Sequence, residues 1–408
     1  MKYKGSFFTL YLAILLFLAD CYNTDIVIIF TSISLLYFIM KYGIYKKAFI
    51  MIFPLFVIVI IGMITAFLKG NLAYRDTLRD IYKTLCPIIF ILFGFYLYEY
   101  EKAGKNYFWK SILIAGYLIT FRHFTLIILN VVKYGISFET VRGVGGNMSM
   151  TTLISFVALT YLKDKLVFIP NKKFLFSKIL LGLSLVLYLS RTMIVVLLSF
   201  LTVLSVNYIR KSSRKKILVV LFVSILFLFF FLSIRNTDII IELNEKFSKS
   251  FTEINSKNRY WDWISINNNW RGYEVFLVKN EMNNTNILSK FFGFGFGARL
   301  SLGVTIRLGE ELFSAVPILH NGYYYIFFKT GYVGLLMLLS FFFTRMIKVF
   351  RKILYSKKDK NNLLFLICTY IAIAISMYVI SGFYNGVTLL SLCEVVGYYE
   401  RKIADGKE

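Results

Sequence analysis

Apolar residues in this chain come in long unbroken runs, and polar residues are confined to the gaps between them. Twelve runs stand out, near residues 6–20, 25–40, 48–68, 84–98, 108–132, 149–162, 174–190, 192–209, 217–234, 319–343, 362–381 and 386–399. A helix crosses a hydrocarbon core with about 20 apolar residues. Several of these runs are shorter, which tilt or a re-entrant path accommodates. Backbone groups in lipid must be satisfied internally, so the spans are helices or a closed barrel. The runs are continuous rather than alternating, which predicts helices. The expected fold is therefore all-α: a polytopic membrane protein with about 12 transmembrane helices. The first run, within MKYKGSFFTLYLAILLFLAD, has no small-x-small cleavage site before Asp20 and reads as an uncleaved span.

One long polar segment interrupts the pattern. It divides the chain into about nine N-terminal helices (1–234), a large loop (235–318) and C-terminal helices (319–408). The loop is nearly neutral and holds Trp261, Trp263 and Trp270, three of the four tryptophans. ELNEKFSKSFTEI and WRGYEVFLVKNEM within it each predict an amphipathic helix, and the aromatic content predicts a folded lid rather than a linker.

The composition agrees with a membrane class: 58% of the residues are hydrophobic, and the mean hydropathy is +0.67. The net charge of +25 would suit nucleic acid, but its placement excludes that partner. Basic residues fall in alternate gaps, 28 on one side against seven in the short segments of the other. This positive-inside bias predicts both termini in the cytoplasm and the large loop outside. Cys21, Cys86, Cys368 and Cys393 have no CxxC spacing, so neither a disulfide framework nor a thiolate metal site is expected. His123 and His320 are far apart in sequence, which argues against a His-rich metal site.

His320 and Asn321 open the tenth run, in PILHNGYYYIFFKTGYVGLL. His320 could be a general base at the membrane surface or an interfacial helix anchor. Arg271, next to Trp270, could hold a diphosphate bidentately, or stack on Trp270 or pair with Glu274. Arg191 divides two short spans at their outer ends, either facing an anion or snorkelling at a hairpin. Arg122 and His123 lie inside the fifth run, where ionisable groups are functional candidates or partners in an internal salt bridge, for instance to Glu394. Arg75 and Arg79 share a helical face, and Arg142 sits in a glycine-rich outer turn; either position could meet phosphate. Lys329, nine residues after His320, falls on the opposite helix face.

The arrangement resembles the O-antigen ligase and polymerase superfamily of bacterial envelope polysaccharide synthesis. The residues that carry the likeness are Ser190-Arg191 between short spans, Trp270-Arg271 in the loop, FFGFGFG, and His320-Asn321 followed by aromatics and Gly-x-x-Gly. The resemblance implies a GT-C-like helical fold in the plasma (inner) membrane. It implies glycosyl transfer from an undecaprenyl-diphosphate-linked oligosaccharide, without metal or other cofactor. It also implies work alongside a chain-length regulator and a flippase. His320, Arg271 and Arg191 would be catalytic. Asn321, Arg142, Arg75, Arg79, Trp270 and Tyr324 would contact substrate. The divergent, Asn-rich loop favours a Wzy-type polymerase within this superfamily. A ligase or oligosaccharyltransferase is the alternative, and a flippase or exporter is a third reading from another class.

Overall fold

The computed structural model describes residues 2–22, 25–70, 74–101, 106–142, 149–162, 166, 171–211, 261–308, 311–355 and 360–405. The described residues are predominantly helical. In order the helices are α1 (Lys2–Tyr22), α2 (Ile26–Tyr42), α3 (Lys46–Leu68), α4 (Tyr74–Glu101), α5 (Tyr107–Tyr134), α6 (Phe138–Arg142), α7 (Met150–Tyr161), α8 (Asn171–Leu187) and α9 (Arg191–Lys211). The loop region follows with α10 (Trp263–Asn268), α11 (Trp270–Asn284), α12 (Ile287–Phe292) and an antiparallel hairpin, β1 (Leu300–Leu308) and β2 (Glu311–Val316). The chain then returns to the bundle as α13 (Gly322–Tyr355), α14 (Lys360–Val379), two short 3₁₀ turns and α15 (Leu390–Ala404).

Every expected apolar run falls on helix except 217–234, which lies outside the described residues, as does the predicted helix in ELNEKFSKSFTEI. Among the described residues, five helices are long and apolar enough to cross a membrane: α3, α4, α5, α13 and α14. α1, α2, α7 and α9 contain shorter apolar stretches. Two of the long helices run past the apolar limits read from sequence. α4 begins ten residues early, at Tyr74, and α13 continues to Tyr355 through Arg345, Lys348, Arg351 and Lys352. Backbone hydrogen bonding carries both helices beyond their apolar stretches.

At the crossing of α4 and α15 the bundle closes by main-chain approach. A Cβ on Gly94 of α4 would collide with the backbone of Glu394 in α15, and one on Gly397 would collide with that of Ile91. Small residues at such crossings are how membrane helices gain van der Waals contact where lipid supplies no hydrophobic drive. At the far end of α1, Asp20 accepts hydrogen bonds from the Ser149 hydroxyl and the Thr151 amide, each at 3.0 Å. It thus serves the first turn of α7, which Ser149 also caps at the Thr152 amide.

The hairpin departs from an all-α chain. Its first strand, LSLGVTIRL, alternates: Leu300 and Leu302 are buried, whereas Ser301, Gly303 and Thr305 are exposed. Period-two alternation with β-branched residues is a strand signal, and here it decided the local structure.

Candidate functional site

The loop region is built on aromatic packing and asparagine caps. Asn269 accepts the Gly272 amide at the start of α11, and Asn286 accepts the Ser289 amide at the start of α12. Asp262 does the same for α10. Part of the asparagine richness thus goes into helix starts. Trp261, Trp270 and Phe276 surround Tyr273, whose hydroxyl donates to the Leu302 carbonyl. This cluster fixes α11 against the hairpin.

FFGFGFG docks this unit onto the bundle. The amides of Phe294 and Gly295 donate to the carbonyls of Phe328 and Lys329, each at 2.9 Å, and Phe296 donates to Gly62 at 3.0 Å. The acceptors on α13 exist because that helix breaks at Gly331 (φ 65°, ψ −162°), which frees the carbonyls of the preceding turn. Gly293 and Gly295 have φ of +77° and +84°. A Cβ on either would strike backbone, of Lys329 and Thr330 in one case and of Ala66 in the other. Their alternation serves close approach at positive φ.

His320 lies two residues before α13, half exposed, against buried Glu274 of α11. Glu274 accepts from both ends of the residue: from the ring Nδ1 at 3.0 Å and from the His320 amide at 2.9 Å. A carboxylate acceptor at Nδ1 places the ring hydrogen there and leaves the Nε2 lone pair available. The His320 carbonyl accepts from the Ser381 amide, and Ser381 Oγ donates to the Leu319 carbonyl at 2.9 Å. The histidine is therefore oriented by three elements, α11, the start of α13 and the turn after α14.

The other candidates separate into groups. Arg271 stands one helical turn before Glu274 on α11 and is partly buried, so it belongs to the same wall. Tyr324 lies beneath Lys279 of α11, 5.7 Å from ring centroid to Nζ. Trp270 packs inward on Tyr273, with centroids 6.2 Å apart. Asn321 is buried; its Oδ1 accepts the Tyr323 and Tyr324 amides, and its Nδ2 donates to the Tyr378 carbonyl. Expected at substrate, it is committed instead to starting α13 and tying it to the end of α14. Arg142 ends α6, which packs on α5. Arg191 is the first residue of α9; its side chain lies outside what the structure describes. The start of α9 meets the start of α7, where the Ser149 amide contacts Met193 Sδ at 3.4 Å.

A second charged cluster sits at the same end of the bundle, on α4. Arg79 donates to Asp76 at 2.6 Å, and Arg299 from the loop takes the other oxygen at 2.5 Å. Arg75 is exposed one turn away. One carboxylate faces two guanidiniums, and with Arg75 the patch keeps a cationic excess. Beneath it, Asp80 accepts from Lys329 Nζ at 2.6 Å, from Tyr325 at 2.7 Å and from the Gly297 amide at 2.8 Å. Lys329 also donates to the Ala298 carbonyl. Lys329 and Asp80 are both fully buried. The two clusters share the first turns of α13, separated by about 10 Å of helix rise.

Glu274 and Arg299 are the residues that sequence reasoning missed. Glu274 had appeared only as a possible partner of Arg271. Its signal was that it lies one helical turn from Arg271 on the predicted loop helix. Arg122 stacks over Tyr22, with 5.1 Å from guanidinium to ring centroid. His123 bonds Ser184 at 3.0 Å and stacks on Tyr188. Neither pair involves Glu394, whose carboxylate oxygens are buried without hydrogen-bond partners among the described residues. At the rim of the loop, burial lowers the pKa of Lys69 below the ordinary lysine value and raises that of Glu281 above the ordinary carboxylate value.

No family model and no curated protein matches this chain.

Proposed function

We propose that this protein is a polysaccharide polymerase of the plasma membrane, with the twelve-span, GT-C-like architecture of the O-antigen ligase and polymerase superfamily and both termini in the cytoplasm. It joins undecaprenyl-diphosphate-linked repeat units outside the membrane. The observation that carries this reading is the Glu274–His320 pair at the surface end of α13. An imidazole held through Nδ1 by a buried carboxylate suits a general base.

The chemistry balances on these groups. An acceptor sugar hydroxyl gives its proton to His320 Nε2, and its oxygen bonds to the anomeric carbon of the donor. The bond from that carbon to the lipid diphosphate breaks, and in-line displacement inverts the centre. The Glu274 carboxylate stabilises the imidazolium that forms. Arg271 and Arg191 hold the departing diphosphate as its charge develops.

The test is an assay of the purified protein with lipid-linked repeat units. A ladder of chain lengths is expected, with His320→Ala reducing its rate by about 10²–10⁴. A full-rate ladder from that variant removes His320 from the chemistry. A single transfer without a ladder favours a ligase, and translocation without new glycosidic bonds favours a flippase.

A further inference from the structure

At the opposite end of the bundle from His320, α3, α4, α13 and α15 line a cleft of about 330 Å³. Its polar lining is Lys47, Arg345, Lys348 and Glu400, three cations to one anion. Glu400 is already divided: Oε1 accepts from Tyr370 at 2.9 Å, and Oε2 from Lys348 at 3.1 Å, with Arg345 at 3.8 Å. Lys47 lends its ammonium to the Ala404 carbonyl and Arg345 to the Ile50 carbonyl, contacts that neutralise neither charge. Arg345 Nε is buried without a hydrogen-bond partner among the described residues. The remainder of the lining is apolar, with Ile50, Met51, Phe95 and Ile403. Phe49, Phe53, Ile347 and Phe350, on the same two helices α3 and α13, are about half exposed.

A cationic mouth above an apolar wall, where apolar helices end, is shaped for an amphiphile with an anionic head. The geometry points to a bound anionic phospholipid, its phosphate between Lys47, Arg345 and Lys348 and its acyl chains along Ile50 and Phe53. Free phosphate would satisfy the cations but leave the apolar wall uncovered, so the lipid is the occupant. Basic residues at a membrane surface each attract anionic lipid by about fivefold in affinity. The inference rests on the membrane reading and is independent of the glycosyl-transfer chemistry.

The experiment uses the full chain in neutral detergent, titrated with phosphatidylglycerol or phosphatidylcholine in mixed micelles. Melting temperature and lipid retained in native mass spectrometry are read together. Phosphatidylglycerol is expected to raise the melting temperature and remain bound, and phosphatidylcholine to do neither. In the Lys47→Gln/Lys348→Gln variant, half-saturation by phosphatidylglycerol should shift by about 25-fold. Glu400→Gln, which removes the competing carboxylate, should shift it the other way. Equal response of wild type and double variant overturns the proposal, as does an equal response to the two lipids. Sodium phosphate at matched ionic strength reproducing the whole effect also overturns it. If the double variant does not fold, Glu400→Gln decides alone: unchanged or weaker binding overturns the assignment.

Discussion

Glu274 grips His320 twice, through the ring Nδ1 at 3.0 Å and the backbone amide at 2.9 Å. A carboxylate does both because it only accepts. Under the proposed function, Glu274→Gln should therefore lower the polymerisation rate by about two orders of magnitude, because an amide that donates to Nδ1 moves the ring hydrogen to Nε2. Rate assays on the variant, with melting temperature as a folding control, check this. Full activity would reduce Glu274 to a structural tie.

The Asp80–Lys329 pair should behave as structure rather than chemistry. Lys329→Met leaves a buried carboxylate uncompensated, at a cost of about 3–5 kcal/mol. Combining it with Asp80→Asn should recover part of that loss, because the buried charge is gone, the amide oxygen still accepts from Gly297, and the amide NH2 donates to the Tyr325 hydroxyl oxygen. A double-mutant cycle of melting in detergent measures the coupling.

Gly295→Ala is expected to destabilise the docked loop by on the order of 1–3 kcal/mol, since alanine pays for a positive φ and its methyl meets Ala66. Ala298→Ser, close by and partly exposed, should be near neutral. Limited proteolysis of the loop should quicken in the first variant and not in the second.

Glu281 sets a pH dependence. Its pKa is raised in the folded protein, chiefly by burial, so ionising it costs stability. That cost is present at neutral pH. It is relieved as pH falls through the raised folded value toward the ordinary value of 4.5. Wild type should therefore gain melting temperature over this window relative to Glu281→Gln. A parallel pH profile in the two proteins would contradict the burial argument.

The sequence made the helices legible because each apolar run must satisfy its own backbone, a local demand. His320 was legible for a related reason: a lone polar doublet at the mouth of an apolar run has few neighbours to explain it. Its partner was not, because Glu274 comes from a helix 46 residues earlier and reaches His320 only after the loop has docked. The same holds for Asp80 and Lys329, 249 residues apart. Placing Lys329 on the face away from His320 was consistent with that pairing, but helical geometry alone does not say what the other face meets. The capping role of Asn269 and Asn286 is not legible in the Asn-rich loop, because capping depends on where helices start, and those boundaries are poorly marked in sequence.

The FFGFGFG stretch is seated on the bundle by main-chain bonds, Phe294 to Phe328, Gly295 to Lys329 and Phe296 to Gly62, beside side-chain ties such as Arg299 to Asp76 and the Gly297 amide to Asp80. Apart from the glycines that clear the space, the main-chain bonds are indifferent to side-chain identity. A loop attached in this way can exchange nearly all of its outward-facing residues while staying seated on the same scaffold, and under the proposed function its saccharide would change with them.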